Sequence, residues 1–367
     1  MRLTLGLVLA CSALACDATP GERAAEPQPA ATAQAATAAP LPQLVLLATA
    51  PGSTESSLLR TRPGSPLAPQ VVARLPHAPD GEARGALLPG GERAVVVADM
   101  ERRRDPSFGA WLFSMGSGGE PRVLAEGCVH ATRPWVLPSG RVLVQRGTPG
   151  PELDPAASPS GALRTDALRI DEIDPEGAPI RTVHAFSGYI THIAGVLDGE
   201  VFVYRVSQQG ADLIAVGIDS GSVRVLAQPI VAQARDFSVD VASRSLVYAN
   251  LAASGWGVER VSIDSAKRES IASADGMGVT PSVWPTGGVL VNDGRGAVTL
   301  GGRGPRRPLG AGFDEVSAVS AGGKYVALTH RTPGDFAQVF VTDAEGAHAT
   351  PVPAAPGHRL SVVGFLP

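Results

Sequence analysis

The chain has 367 residues, 31 basic and 35 acidic side chains, and a formal net charge of −4. A balance that weak gives no electrostatic footprint for nucleic acid or for an anionic membrane surface. Its 43 glycines and 32 prolines suit many strands joined by tight turns, and the length allows one large β domain or two ordinary ones. Lys267 and Lys324 are the only lysines. Arginine recognises phosphate and carboxylate well, but so uniform a bias reads as the codon usage of a GC-rich genome.

Residues 1–15 read as an export signal: Arg2 is a minimal basic segment and LTLGLVLACSALA at 3–15 is an apolar run too short to span a bilayer. Ala13 and Ala15 supply small residues before Cys16. The segment resembles a bacterial lipoprotein signal, which implies acylation of Cys16 and attachment to a membrane through lipid. It departs from the usual pattern at Ala13 and Leu14, Cys11 is a rival lipidation position, and plain cleavage after Ala15 would leave a soluble exported protein. Residues 17–42 are an Ala/Pro-rich tether that buries too little apolar surface to fold. It reaches from roughly 30 Å as a coil to about 80 Å in extended form. The folded domain is expected over 43–367.

Within it one phrase recurs, a turn followed by a short β run. The runs are QLVLLA (43–48), AVVVAD (94–99), RVLVQR (141–146), EVFVYR (200–205), SLVYAN (245–250), GVLVND (288–293) and KYVALT (324–329). They recur every 36 to 59 residues, about 47 on average, which fits the four-stranded blade of a β-propeller. A second, more polar hairpin follows most of them, as in AWLFSMGSGGEPRVLAE at 110–126 and LIAVGIDSGSVRVLAQ at 213–228. The near-continuous apolar runs predict strands covered on both faces. The expectation is an all-β fold, a propeller of seven four-stranded blades. Its last blade takes its inner strand from the C-terminal SVVGFLP and its other three from 43–76. Such closure leaves no open interior edge. An open sandwich or two smaller β domains would not keep so even a period.

The phrases TRPWVLPSGRVLV (132–144) and TPSVWPTGGVLV (280–291) resemble the repeat of the WD40-like, TolB-type propellers, and 110–126 resembles that repeat's second hairpin. The usual Asp of the turn is replaced by Gly90, Ser139 and Thr286, and the N-terminal α/β domain of TolB is absent. The resemblance implies the fold and leaves the partners open.

In a propeller, the second-to-third and interblade connections share one face. Here that class varies most: MERRRDPSFG (100–109), 147–166, SQQGAD (207–212), AASGWG (252–257) and RTPGDF (331–336). Variable loops on a rigid scaffold are where binding sits, so Arg102, Arg103, Arg104, Phe108 and Trp256 are the candidate interaction residues. The chain shows no Gly-x-Ser-x-Gly elbow, His-Glu-x-x-His pair or phosphate loop. DEIDPEG (171–177) superficially suggests a calcium loop, but its glycine is misplaced and it sits where a plain strand–turn–strand is expected. Neither a catalytic residue nor a cofactor is expected. The expected function is a non-enzymatic, membrane-tethered propeller in the cell envelope that binds a protein or envelope component through its variable face. The alternative is a metal-dependent hydrolase. His130, His184, His192, Asp236 and Asp314 would then converge on the channel mouth, in a site that resembles that of propeller lactonases.

Overall fold

The computed structural model describes residues 41–101, 108–130, 132–148, 167–177, 181–187, 190–207, 210–230, 233–252, 255–274, 279–292, 296–304, 309–310, 312–332, 337–354 and 357–367. The signal, the tether, Cys16 and Arg102, Arg103 and Arg104 lie outside them. Strands appear where the apolar runs predict them, in antiparallel meanders. The first holds β1 (Leu44–Thr49), β2 (Glu55–Thr61) and β3 (Gln70–Pro76). Blade I follows as β4 (Ala83–Leu87), β5 (Arg93–Asp99), β6 (Ala110–Gly116) and β7 (Arg122–Cys128). Blade II is β8 (Trp135–Val136), β9 (Val142–Thr148), β10 (Ala167–Ile173) and β11 (Arg181–Ser187). Blade III is β12 (Ile190–Leu197), β13 (Glu200–Ser207), β14 (Gly210–Gly217) and β15 (Val223–Ile230). Blade IV is β16 (Arg235–Asp240), β17 (Ser245–Ala252), β18 (Gly255–Ser262) and β19 (Arg268–Ala274). Blade V has three strands among the described residues, β20 (Thr280–Val283), β21 (Val289–Asn292) and β22 (Ala297–Leu300). Blade VI is β23 (Phe313–Val319), β24 (Tyr325–Arg331), β25 (Ala337–Asp343) and β26 (Thr350–Pro351).

The last strand, β27 (Arg359–Phe365), pairs with the first, so blade VII has the order β27-β1-β2-β3. Its register runs from Leu44↔Phe365 to Thr49↔Arg359, with one shift at Val45/Leu46. The ends of the domain thus share one sheet, as the sequence predicts. The innermost strands touch in ring order: β27 with β4, β4 with β8, β12 with β16, β16 with β20, β20 with β23, and β23 with β27. Between blades II and III, Gln145 Nε2 donates to the Thr191 carbonyl.

Alternation of side chains on the second strands explains why these runs are apolar throughout. On β5, Ala94, Val96 and Ala98 pack toward blade VII, while Val95 and Val97 pack toward blade II. On β13, Val201 and Val203 face blade II while Phe202 and Tyr204 face blade IV. β1 divides likewise, Val45 and Leu47 toward blade I and Leu44, Leu46 and Ala48 toward blade VI. One apolar cluster therefore lies between each pair of neighbouring blades.

Side chains also tie the blades on the face of short turns. Trp284 is fully buried and its indole donates to the Ala344 carbonyl at 2.7 Å, joining blades V and VI. Arg244 bonds Asp264 of its own blade at 3.0 Å and Asp198 of blade III. Exposed pairs of this kind add little individually. Cys128 is fully buried, and burial pushes its thiol up to about 12, so it serves as a small apolar side chain.

Leu46 is fully buried in the closing blade, whereas Val71 on the outer strand β3 is 48% exposed. Leu46→Ala is expected to cost about 2–5 kcal/mol in denaturant unfolding. Val71→Ala should stay within about 0.5 kcal/mol of wild type.

Candidate functional site

The connections opposite the short turns form the candidate face. Two of them are tighter than expected. SQQGAD and AASGWG shrink to 208–209 and 253–254, because Ser207↔Gly210 and Ala252↔Gly255 still pair. Gly210 (φ 119°) and Gly255 (φ 113°) begin the returning strands in conformations that suit glycine. Trp256 is thus a residue of β18 rather than of a loop, and Arg235 stacks 4.2 Å from its ring centroid. Phe108 is not a surface anchor either: it is buried in the cluster between blades II and III. Its ring covers Gly147 so closely that a Cβ there would approach it to 2.2 Å. Most of 147–166, the longest connection, lies outside the described residues.

The polar side chains that do converge lie on the inner strands. Counting paired positions outward from each short turn, the register places Arg84, His192, Arg235, Thr280, Glu315 and Ser361 at equivalent levels, and continuing the count two residues before β8 puts Arg133 level with them. None is buried, although their strands are packed on the opposite side, so they line the axial channel. The next channel-facing positions toward the short turns include Ala86, Gly195, Ser238, Ser282, Ala318 and Gly364. These small residues let the inner strands approach closely. Ser238 Oγ accepts from Val283 N at 3.1 Å, and Ser282 Oγ accepts from Val316 N at 3.3 Å.

Above this ring, on the variable face, Leu47, Thr49, Gly81, Arg84, Arg331 and Arg359 line a cleft of about 160 Å³. Three ion pairs border the mouth: Arg84–Glu82 at 3.2 Å, Arg331–Glu315 at 3.4 Å and Arg235–Asp236 at 3.4 Å. Among the described residues, Arg359 reaches only the Gly81 carbonyl, at 3.5 Å. Arg133 has no ion-pair partner among the described residues. Burial lowers its pKa, Glu315 opposes that shift and Arg84 adds to it. Asp236 takes a left-handed conformation (φ 54°) at the register shift of β16. Burial raises its pKa, against the opposing charge of Arg235. Strain of this sort collects at functional positions. His192 stacks on Tyr204, and burial lowers its pKa.

The five residues of the metal reading do not come together. His130 pairs with Asp99 at 2.8 Å, Asp314 is buried against His330, and His184 lies on the outer strand β11 beside Phe186. Only His192 and Asp236 reach the channel, and among the described residues no three His, Cys, Asp or Glu side chains are grouped to hold an ion. In DEIDPEG, Asp171 and Glu172 are buried on β10 and engaged by arginines, Arg146 and Arg169 at 2.9 Å on Asp171 and Arg181 on Glu172. A second cavity of about 480 Å³ lies between blades IV and V on the other face. Among its lining groups, Asp240 accepts from Ser243 and Arg260 pairs with Glu269 at 3.2 Å.

No family model and no curated protein matches the chain. Solved structures do. TolB from Acinetobacter baumannii superposes with a TM-score of 0.50 at 12% identity, over 88% of this chain and 67% of that one. A prolyl endopeptidase structure gives 0.58 at 14% identity over 88% of this chain, and prolyl oligopeptidase B from Galerina marginata gives 0.54 at 12% over 87%. This chain spans 50% and 48% of those peptidases. At such identities the likeness shows the fold, an all-β propeller of the TolB type.

The mouth arginines belong to no motif, yet they carry a positional signal. Arg84 and Arg133 each stand five residues before the proline of a Leu-Pro turn, Pro89 and Pro138. Asp236 offers a direct check. Its folded carboxyl holds a proton more tightly than in the unfolded chain, so its charge opposes folding at neutral pH. That penalty fades as pH falls through the raised value and is gone below the ordinary value of 3.8. Asp236→Asn should therefore raise the melting temperature at pH 7, with the gain closing toward pH 3. An equal or lower melting temperature at pH 7 contradicts this.

Proposed function

We propose that this chain is a non-enzymatic binding propeller that captures a protein partner of the cell envelope around the channel mouth on its variable-loop face. The observation that carries the reading is the mouth itself, a ring of inward polar side chains beside a cleft whose cations exceed their carboxylate partners. Like charges gathered with too few counter-charges repel one another at a cost in stability, and such a cost is retained where it serves recognition. Trp256, held by Arg235, offers a half-exposed aromatic at the rim, the type of residue that anchors interfaces.

Export and tethering complete the proposal. Lipidation at Cys16 would hold the ring near a membrane while the 17–42 segment lets it turn toward its partner. The prolyl endopeptidases favour a second reading, in which the propeller serves an enzyme. This chain spans half their length, and its own sequence offers no nucleophile elbow. Catalysis would then have to come from residues at the mouth, where Asp236 and His192 are the titratable candidates.

Two experiments test the proposal. A photo-crosslinker at Thr54, exposed in the β1–β2 connection, should trap the partner in intact cells. The same label at Asp219, whose side chain is 99% exposed in the β14–β15 turn, should not. Equal trapping by both, or trapping by Asp219 alone, overturns the face assignment. Separately, a clickable fatty acid should label the wild-type chain and leave Cys16→Ser unlabelled; labelling that survives the substitution excludes Cys16 as the anchor.

A further inference from the structure

Resting on that reading, we infer that the mouth binds a carboxylate, from an acidic side chain or the C-terminus of a peptide segment, between Arg133, Arg84 and Arg359. The inner strands that carry or follow these residues, β27, β4 and β8, are consecutive around the channel. Arg84 and Arg359 line one cleft, and Arg133 precedes β8, the inner strand that touches Arg84's strand β4.

Charge accounting selects the ligand. Arg84, Arg235 and Arg331 each have a carboxylate within 3.4 Å, namely Glu82, Asp236 and Glu315. Arg133 and Arg359 have none among the described residues. Arg133 faces the lumen beside Arg84 and has no carboxylate of its own there to neutralise it among the described residues. An anion that enters would satisfy it, and a guanidinium fork matches a carboxylate in a two-point contact. Glu315 and Asp236 border the same mouth and feel each other's charge. They disfavour a dianion and leave room for a single negative charge, which favours a carboxylate over a phosphate. The same acids can accept N–H groups of the peptide that carries it. The cleft, at about 160 Å³, admits one such group rather than a folded surface. Binding is therefore expected through a protruding segment.

The test uses the full chain and an array of random octapeptides with free or amidated C-termini. Bound peptides should share an Asp, a Glu or a free C-terminal carboxylate. Replacing that group by its amide should weaken binding at least tenfold, the loss expected for a charged hydrogen bond. Arg133→Gln and Arg359→Gln should each weaken it by a similar factor. Arg133→Lys, which keeps the charge, should recover part of the loss and guards against a folding defect. Arg74→Gln, on the exposed outer strand β3, should change nothing. Binders that lack an acidic group, or binding indifferent to both glutamine variants, overturn the carboxylate while leaving the binding face standing. Inorganic phosphate displacing the peptides at lower concentration than acetate also overturns it. An array with no binder at all contradicts peptide capture itself.

Discussion

Everything in this ring depends on the two-sided burial of its second strands. A strand with water on one face can alternate apolar and polar residues; these strands cannot, because each separates two interblade clusters. Removing one side chain from β5 or β13 therefore disturbs two blades' packing, and the strength of the ring is shared rather than local. The pairing of β27 with β1 matters for the same reason. Without it, Leu44, Leu46 and Ala48 would have a neighbour on one side only, and blades I and VI would each lose half a wall.

Because the second strands take the apolar burden, the inner strands are free to face the lumen with polar groups. At one level the lumen is lined by Arg84, Arg133, His192, Arg235, Thr280, Glu315 and Ser361. One step nearer the short turns, small residues such as Gly195 and Ser282 bring the strands together. The channel is thus open in chemistry at one end and tightened at the other. The ring holds these charges on paired strands, and among the described residues Arg133 and Arg359 have no carboxylate partner.

Much of this was legible in the sequence. The apolar runs marked the second strands to within a residue or two, since two-sided burial leaves no polar interruption to confuse the pattern. The unpartnered run at 43–48 and the unpartnered tail at 360–367 announced the shared blade. The site was harder to read. Phe108 looked like a loop anchor because its sequence neighbours are polar, yet its contact is Gly147, 39 positions away in the chain. Trp256 looked like a loop residue because Gly255 and Gly257 flank it, yet both glycines sit within a paired strand. The mouth arginines carry no motif, because a single charged residue before an apolar run is ordinary strand alternation. Their meaning lies in equivalence across blades, which only the register reveals. The histidines failed as a metal set because His130 and Asp314 serve as buried partners of Asp99 and His330.

The proposed function rests on a division of labour between the two faces. Short turns cross-linked by Arg244 and Trp284 hold one face together, and the other presents the longer connections around a positively biased opening. Hydrogen exchange on the chain with its captured partner tests this division most directly. Protection confined to the mouth segments 78–84, 132–136 and 357–361 is the expected result. Protection of the short turns at 197–200, 217–223 and 241–245, with the mouth unchanged, would contradict it.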